Sequence, residues 1–156
     1  MAADLFDAEC GTALHVLPLA PGAALLRRHA LADAPTLLSE VREIARQAPF
    51  RHLVTPGGRP MSVAMTNCGA VGWVSDRSGY RYARTDPDTG RPWPPMPASF
   101  LRVAMAAAAA AGFPAYAPDV CLINRYAPGA RLSLHQDRNE LDDAAPIVSV
   151  SLGLAA

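Results

Sequence analysis

Proline and glycine, 15 and 11 of them in 156 residues, cut this chain into short pieces. The densest cut runs from residues 86–90 (Asp-Pro-Asp-Thr-Gly) through Pro92, Pro94, Pro95 and Pro97, where neither a helix nor an interior strand can persist. Between the cuts, only two stretches carry helical signals. Pro35 can open the first, and Leu37, Leu38, Val41, Ile44 and Ala45 recur at the helical period until Gln47, just ahead of Pro49. The second runs over 98–111 and meets a stop at Gly112. The other apolar pieces, at 23–27, 61–65, 71–74, 80–82, 121–126, 132–135 and 147–152, read as strands. Pro56-Gly57-Gly58 and Pro128-Gly129 mark turns, and residues 1–22 lack periodicity and read as an arm. This order predicts an α+β fold with helices packed on a sandwich or jelly-roll.

A hydrophobic content of 51% with 18% charged residues excludes a disordered chain, and the length suits one domain. Lys+Arg and Asp+Glu are both 14, so a strongly basic nucleic-acid coat is excluded; every one of the cations is Arg. The neutrality hides an asymmetry: residues 42–91 carry a net +4, against −3 over 1–40 and −1 over 92–156. That middle segment holds Trp73, Tyr80 and Tyr82, a combination suited to a polyanion with stackable bases, although scattered surface arginines explain the charge equally well. Cys10, Cys68 and Cys121 form no C-x-x-C motif and read as thiols in a reducing compartment. The N-terminus lacks a signal sequence, and Arg, Pro or Gly breaks every apolar run before membrane-spanning length. The expectation is a soluble, cytoplasmic protein with no membrane partner.

Chemistry concentrates in residues 124–137. His135 and Asp137 stand two apart, so on an extended strand their side chains share a side and can grip one metal ion. They amount to two-thirds of the facial triad of two His and one carboxylate that leaves open positions on Fe(II). By itself, H-x-D describes ordinary surface polar residues just as well. Asn124 and Tyr126 also share a face, and the turn at Pro128-Gly129 can fold their strand back so that both pairs meet at one pocket. An amide and a phenol there can donate to a carboxylate-bearing cosubstrate, or can satisfy each other in a core.

The segment resembles the N-x-Y-x-x-G…H-x-D signature of the AlkB-type Fe(II)/2-oxoglutarate-dependent dioxygenases, which repair alkylated nucleic acids. The similarity extends, in the same order along the chain, to Thr55-Pro-Gly-Gly, residues 61–69 (Met-Ser-Val-Ala-Met-Thr-Asn-Cys-Gly), Gly72-Trp73 and residues 79–82 (Gly-Tyr-Arg-Tyr). It continues through Pro92-Trp93-Pro94 and residues 146–153 (Pro-Ile-Val-Ser-Val-Ser-Leu-Gly). The resemblance implies one domain over 1–156. That domain has an arm over 1–22, N-terminal helices, a nucleotide-recognition lid over about 50–95, and a double-stranded β-helix (jelly-roll) core starting near 115. It also implies oxidative dealkylation of N-alkylated bases, of the 1-methyladenine and 3-methylcytosine type. Fe(II), O2 and 2-oxoglutarate are consumed or used, and formaldehyde and succinate are released. By the same resemblance His135 and Asp137 are iron ligands and Asn124, Arg125 and Tyr126 bind 2-oxoglutarate. Trp73, Tyr80, Arg81, Tyr82, Thr55, Met61, Met65 and Asn139 then face the substrate, and Arg131 and Arg138 lie near phosphates. Taken alone, Trp73 reads as a core tryptophan and the two methionines as strand packing. The implied partner is alkylated single- or double-stranded DNA, or RNA, bound by a monomer.

Two departures stand out. Where similar proteins carry an acid two residues after the ligand Asp, this chain has Asn139, followed by Glu140. The chain also ends inside a strand pattern, ahead of the family's second iron-binding His and the arginine pair that clamps 2-oxoglutarate; His15, His29 and His52 all precede the core. The expectation is therefore a C-terminally truncated member with little activity alone, the alternative being a non-catalytic nucleic-acid-binding fragment. A cupin-like jelly-roll of unrelated function is disfavoured by residues 61–69.

Overall fold

A computed structural model of the chain describes residues 15–133, 135, 142 and 144–153. The elements run β1 (His15–Ala20), β2 (Ala23–Arg27), α1 (Ala34–Gln47), β3 (Ala64–Gly69), β4 (Gly72–Asp76), β5 (Gly79–Ala83), α2 (Ala98–Ala110) and β6 (Val120–Arg125). The fold is α+β, as expected. Three antiparallel pairs, β1–β2, β3–β6 and β4–β5, make up the sheet structure among the described residues. No helix among them is long and apolar enough to cross a membrane.

Local chemistry explains both helices. Pro35 stands in the first turn of α1, where its missing N–H is no loss, and Leu37 and Ile44 are buried seven residues apart on one face. The alanine-rich α2 has high intrinsic helicity and buries Ser99, Val103 and Ala107 at four-residue spacing. Its end is a Schellman turn. Phe113 N–H reaches Ala108 O at 2.8 Å and Gly112 N–H reaches Ala109 O at 3.1 Å, with Gly112 in the left-handed region at φ +96°. Polar contacts join the two helices: Ser99 donates to Glu40, and Arg102 meets Asp33 at 2.6 Å.

Beneath β4–β5, a small core of Ala48, Val74 and Trp93, flanked by Ala83, depends on a close approach at Gly72. A Cβ at that position would lie 2.4 Å from the Trp93 indole, inside contact distance, so only glycine lets the ring close against the strand. The indole N–H donates to Ala83 O at 2.9 Å. Above it, the Arg51 guanidinium stands 5.8 Å from the ring centroid, pairs with Asp86, and meets Asp88 at 2.7 Å. Asp86 is only 3% exposed. Burial pushes its carboxyl pKa up, but hydrogen bonds from Arg51 and the Asp88 N–H outweigh that and hold it below its ordinary value.

Several strand expectations shift. Residues 15–20, assigned to an arm, instead form β1, which pairs with β2 from His15–Arg27 to Ala20–Ala23. The strand expected over 61–65 begins at Ala64. Residues 53–61 fold into a hairpin turn of their own, in which Met61 N–H bonds Leu53 O at 2.8 Å and Gly58 N–H bonds Thr55 O at 2.7 Å. The described residues of 132–135, and all of 147–152, lie in no strand. Alternation marks which residues can share a face, but a strand also requires a neighbour to take its peptide hydrogen bonds, and none pairs with them among the described residues.

Trp93→Ala is expected to cost about 3–5 kcal/mol in urea unfolding. Gly72→Ala should cost about 1–3 kcal/mol in the wild-type background and little in the Trp93→Ala background, a coupling that a double-mutant cycle reads directly. Because the Asp86 pKa is lowered in the folded state, its contribution is present above the ordinary carboxylate pKa and lost as pH falls through the depressed one. The melting temperatures of wild type and Asp86→Asn should therefore differ near neutrality and converge under acid.

Candidate functional site

The β3–β6 pair, the β4–β5 hairpin and the 53–61 turn surround an open cleft of about 2780 Å³. That is well above the roughly 300–1,000 Å³ of a site for one small molecule. Side-chain alternation decides what faces it. Trp73 and Tyr82 are register partners on β4–β5, and Tyr80 lies diagonally across from Trp73, so all three share the cleft side. The Trp73 and Tyr80 rings stack with centroids 5.6 Å apart and planes 18° from parallel.

Arg81 departs from its expected place with its neighbours. The same alternation sends it to the opposite face, where it grips Asp76 with two hydrogen bonds of 2.7 and 3.0 Å. Arg81, with help from the Ser78 N–H, holds the partly exposed Asp76 carboxyl down to about 2. Thr55 and Met61 reach the cleft from the 53–61 turn and the buried Met65 from β3. Ser75 Oγ donates to Val54 O at 2.6 Å and so ties that turn to the hairpin.

Trp73 is held from behind by a residue to which sequence reasoning assigned no role. The Asn67 carboxamide, 2% exposed, accepts from Trp73 N–H at 2.9 Å and donates to Trp73 O at 3.0 Å. The side chain thus acts as one more peptide group pairing with β4. A signal was present: an asparagine at the centre of an otherwise uncharged, compact strand segment needs buried partners.

Asn124 and the half-exposed Tyr126 line the same cleft at the end of β6. Arg125 borders it too, but on the alternate face, with its guanidinium 4.6 Å from the Phe50 ring centroid. The chain then turns back. Ala130 N–H bonds Ala127 O at 2.9 Å around Pro128 and Gly129, with Gly129 at φ +83°, the positive φ that a type II turn requires at its third residue. Ser62 secures the return by donating to Arg131 O at 2.7 Å and accepting from Arg131 N–H at 3.1 Å. His135 consequently lines the same cleft as Asn124 and Tyr126.

The imidazole of His135 has Nδ1 2.8 Å from Ser133 O. A carbonyl only accepts, so Nδ1 carries the proton and the lone pair of the neutral ring lies on Nε2, the form suited to ligating a metal. Asp137, Arg138, Asn139 and Glu140 lie outside the described residues. Among the described residues, no group of three or more His, Cys, Asp and Glu side chains stands together as a metal site. Arg42, Arg46, Arg84 and Arg131 also border the cleft, against Asp119 and Asp142, so its described rim is cationic.

The model of the 2OG-Fe(II) oxygenase superfamily matches residues 24–156. The chain is 62% identical over 139 residues to the alpha-ketoglutarate-dependent dioxygenase AlkB of Salmonella typhimurium, covering 89% of this chain and 64% of that protein. Its identity to the Escherichia coli protein of the same name is 60% over 139 residues, with the same coverage. An AlkB homolog of Caulobacter vibrioides is 50% identical over 117 residues, covering 75% of this chain and 51% of that protein. The chain thus spans 64% of the length of the first two relatives.

Asn67→Ala is expected to leave the Trp73 peptide group unpartnered at a cost of about 1–3 kcal/mol. It should also alter the environment of Trp73, read as changed tryptophan emission in a Trp93→Phe background. Asn67→Gln should restore neither, because the longer side chain displaces the carboxamide from the strand.

Proposed function

The chain belongs to the 2OG-Fe(II) oxygenase superfamily and is AlkB-type in sequence, and from that premise we propose that it acts in oxidative dealkylation of N-alkylated nucleic-acid bases. The observation that carries the proposal is that His135, Asn124 and Tyr126 line the same cleft as the stacked pair Trp73 and Tyr80. The one cleft thus holds side chains suited to a metal and a carboxylate cosubstrate together with aromatic faces suited to a planar base. In this reading the 50–95 region is a nucleotide-recognition lid. The jelly-roll core begins near 115, the arm and α1 precede the lid, and α2 lies between the lid and the core.

His135 and Asp137 would hold Fe(II). The Nδ1–H to Ser133 O bond fits that role, because it presets the tautomer and orients the ring. When bound, Fe(II) supplies the oxidation that, with O2 and 2-oxoglutarate, turns an N-methyl group into formaldehyde and the cosubstrate into succinate and CO2. Asn124 and Tyr126 donate hydrogen bonds to the 2-oxoglutarate carboxylate, and Arg125 adds positive charge beside them. A methylated base in a duplex must leave the stack before its methyl group can reach His135. Trp73, Tyr80 and Tyr82 then offer it aromatic faces, while Thr55, Met61 and Met65 close over it. Stacking is indifferent to base identity and contributes about 1–3 kcal/mol per base. Asn139, outside the described residues, would meet the exocyclic amino group with an amide rather than a full negative charge. Arg42, Arg46, Arg84 and Arg131 meet phosphates along the rim. The working form in this reading is a cytoplasmic monomer on alkylated DNA, with RNA as a second substrate.

The test combines the purified chain with Fe(II), 2-oxoglutarate, O2 and an oligonucleotide carrying 3-methylcytosine. From a chain that spans 64% of its relatives' length, formaldehyde and succinate should appear slowly but in equal amounts with restored cytosine, and His135→Ala should abolish all three. Tight binding of the oligonucleotide without any product would overturn catalysis in favour of a binding module. Trp73→Ala should weaken that binding on the order of tenfold to a hundredfold. Tyr126→Phe should raise the KM for 2-oxoglutarate about tenfold or more, as loss of one hydrogen bond to a charged group predicts.

A further inference from the structure

Cys68 on β3 and Cys121 on β6 are register partners, directly opposite each other in the antiparallel ladder. Which kind of partner they are follows from the neighbouring bonds. Met65 turns both its N–H and its C=O to Arg51, at 2.8 and 3.0 Å, and Gly69 N–H turns to Pro94 O, so the odd-numbered residues of β3 point away from β6. The even-numbered residues therefore face β6, as Ala70 does in bonding Asp119 O at 2.8 Å, and Cys68–Cys121 is a hydrogen-bonded pair. Such pairs have Cα atoms about 5.5 Å apart. This falls within the roughly 4.4–6.8 Å that a disulfide spans. Both side chains project from the same face of the ladder, as register partners in an antiparallel pair do. Both are thiols.

We propose that Cys68 and Cys121 are a modification site: a dithiol that a hydroperoxide converts to an intramolecular disulfide across β3 and β6. The two cysteines are unequal in a way that assigns their parts. Cys68 is 0% exposed, whereas Cys121 is partly exposed and borders the cleft. The neighbouring Cys68 thiol lowers the Cys121 pKa, and Cys121, together with burial, raises that of Cys68. Cys121 is thus the attacking thiolate and Cys68 the resolving thiol. The Cys121 sulfur attacks one peroxide oxygen, the O–O bond breaks, and the departing oxygen leaves as water after taking a proton. The Cys68 sulfur then displaces the hydroxyl of the resulting sulfenic acid, its own proton leaving with that oxygen as a second water. Two thiols and one hydrogen peroxide become one disulfide and two waters, the sulfurs oxidised and the peroxide reduced. The bond would tie together the two strands that carry Asn67 and Asn124. The proposal stands apart from any reading of the cleft's activity.

The experiment treats the folded full chain with equimolar hydrogen peroxide, blocks remaining thiols, and maps peptides by mass. Expected is a loss of about 2 Da, a peptide joining Cys68 to Cys121, and reversal by dithiothreitol. Cys10→Ser should leave the link unchanged, and Cys121→Ser should abolish it while Cys68 stays reduced. Sulfinic acid on Cys121 beside an intact Cys68 thiol, a link through Cys10, or an unreacted pair would each overturn the proposal.

Discussion

Along Ala64–Gly69, alternate peptide groups turn to opposite neighbours: Met65 to Arg51 on one side, Cys68 and its even-numbered companions to β6 on the other. Buried side chains extend the same segment further, Thr66 Oγ1 to Ala48 O at 2.7 Å and Asn67 to the peptide of Trp73. One six-residue strand thus joins the end of α1, the β4–β5 hairpin and β6, elements drawn from residues 48–125. A buried peptide or amide left without a partner is costly, so these bonds hold their neighbours in one arrangement. The cleft walls supplied by β3, the β4–β5 hairpin and β6 hang from that arrangement.

Charge acts in the same place. The chain is neutral as a whole, yet five arginines from three separate parts of it, Arg42 and Arg46, Arg84, and Arg125 and Arg131, border one opening. Other arginines are consumed internally: Arg51 against Asp86, Asp88 and the Trp93 ring, and Arg81 against Asp76. Neutrality therefore describes a sum in which one set of cations is structural and another faces solvent at the cleft.

Much of the local structure was legible. Both helices begin and end within a residue or two of their Pro and Gly signals, because a helix is closed by bonds between near neighbours in sequence. The turn at Pro128-Gly129 follows from two residues whose backbone preferences match its two central positions. Strands were harder. β1 carries no clean alternation and takes its place by pairing with β2; β3 starts three residues late because residues 53–61 close on themselves first. Arg81 was grouped with Tyr80 and Tyr82 by adjacency, although alternation of side chains separates it from both.

By itself the sequence determined the two helices, the α+β class, the aromatic and cationic stock of residues 42–91, and the Asn-x-Tyr and His-x-Asp pairs that mark the chemistry. These are properties of near neighbours along the chain, set by backbone preference and side-chain period. The tertiary structure alone decided that Trp73 stacks on Tyr80, that Asn67 holds Trp73, that Cys68 faces Cys121, and that His135 returns to the cleft of Asn124. Each of these depends on strand register or on a turn that brings distant segments together. Register is settled by the whole ladder of peptide bonds and by what its faces bury, and no short stretch of sequence contains that sum.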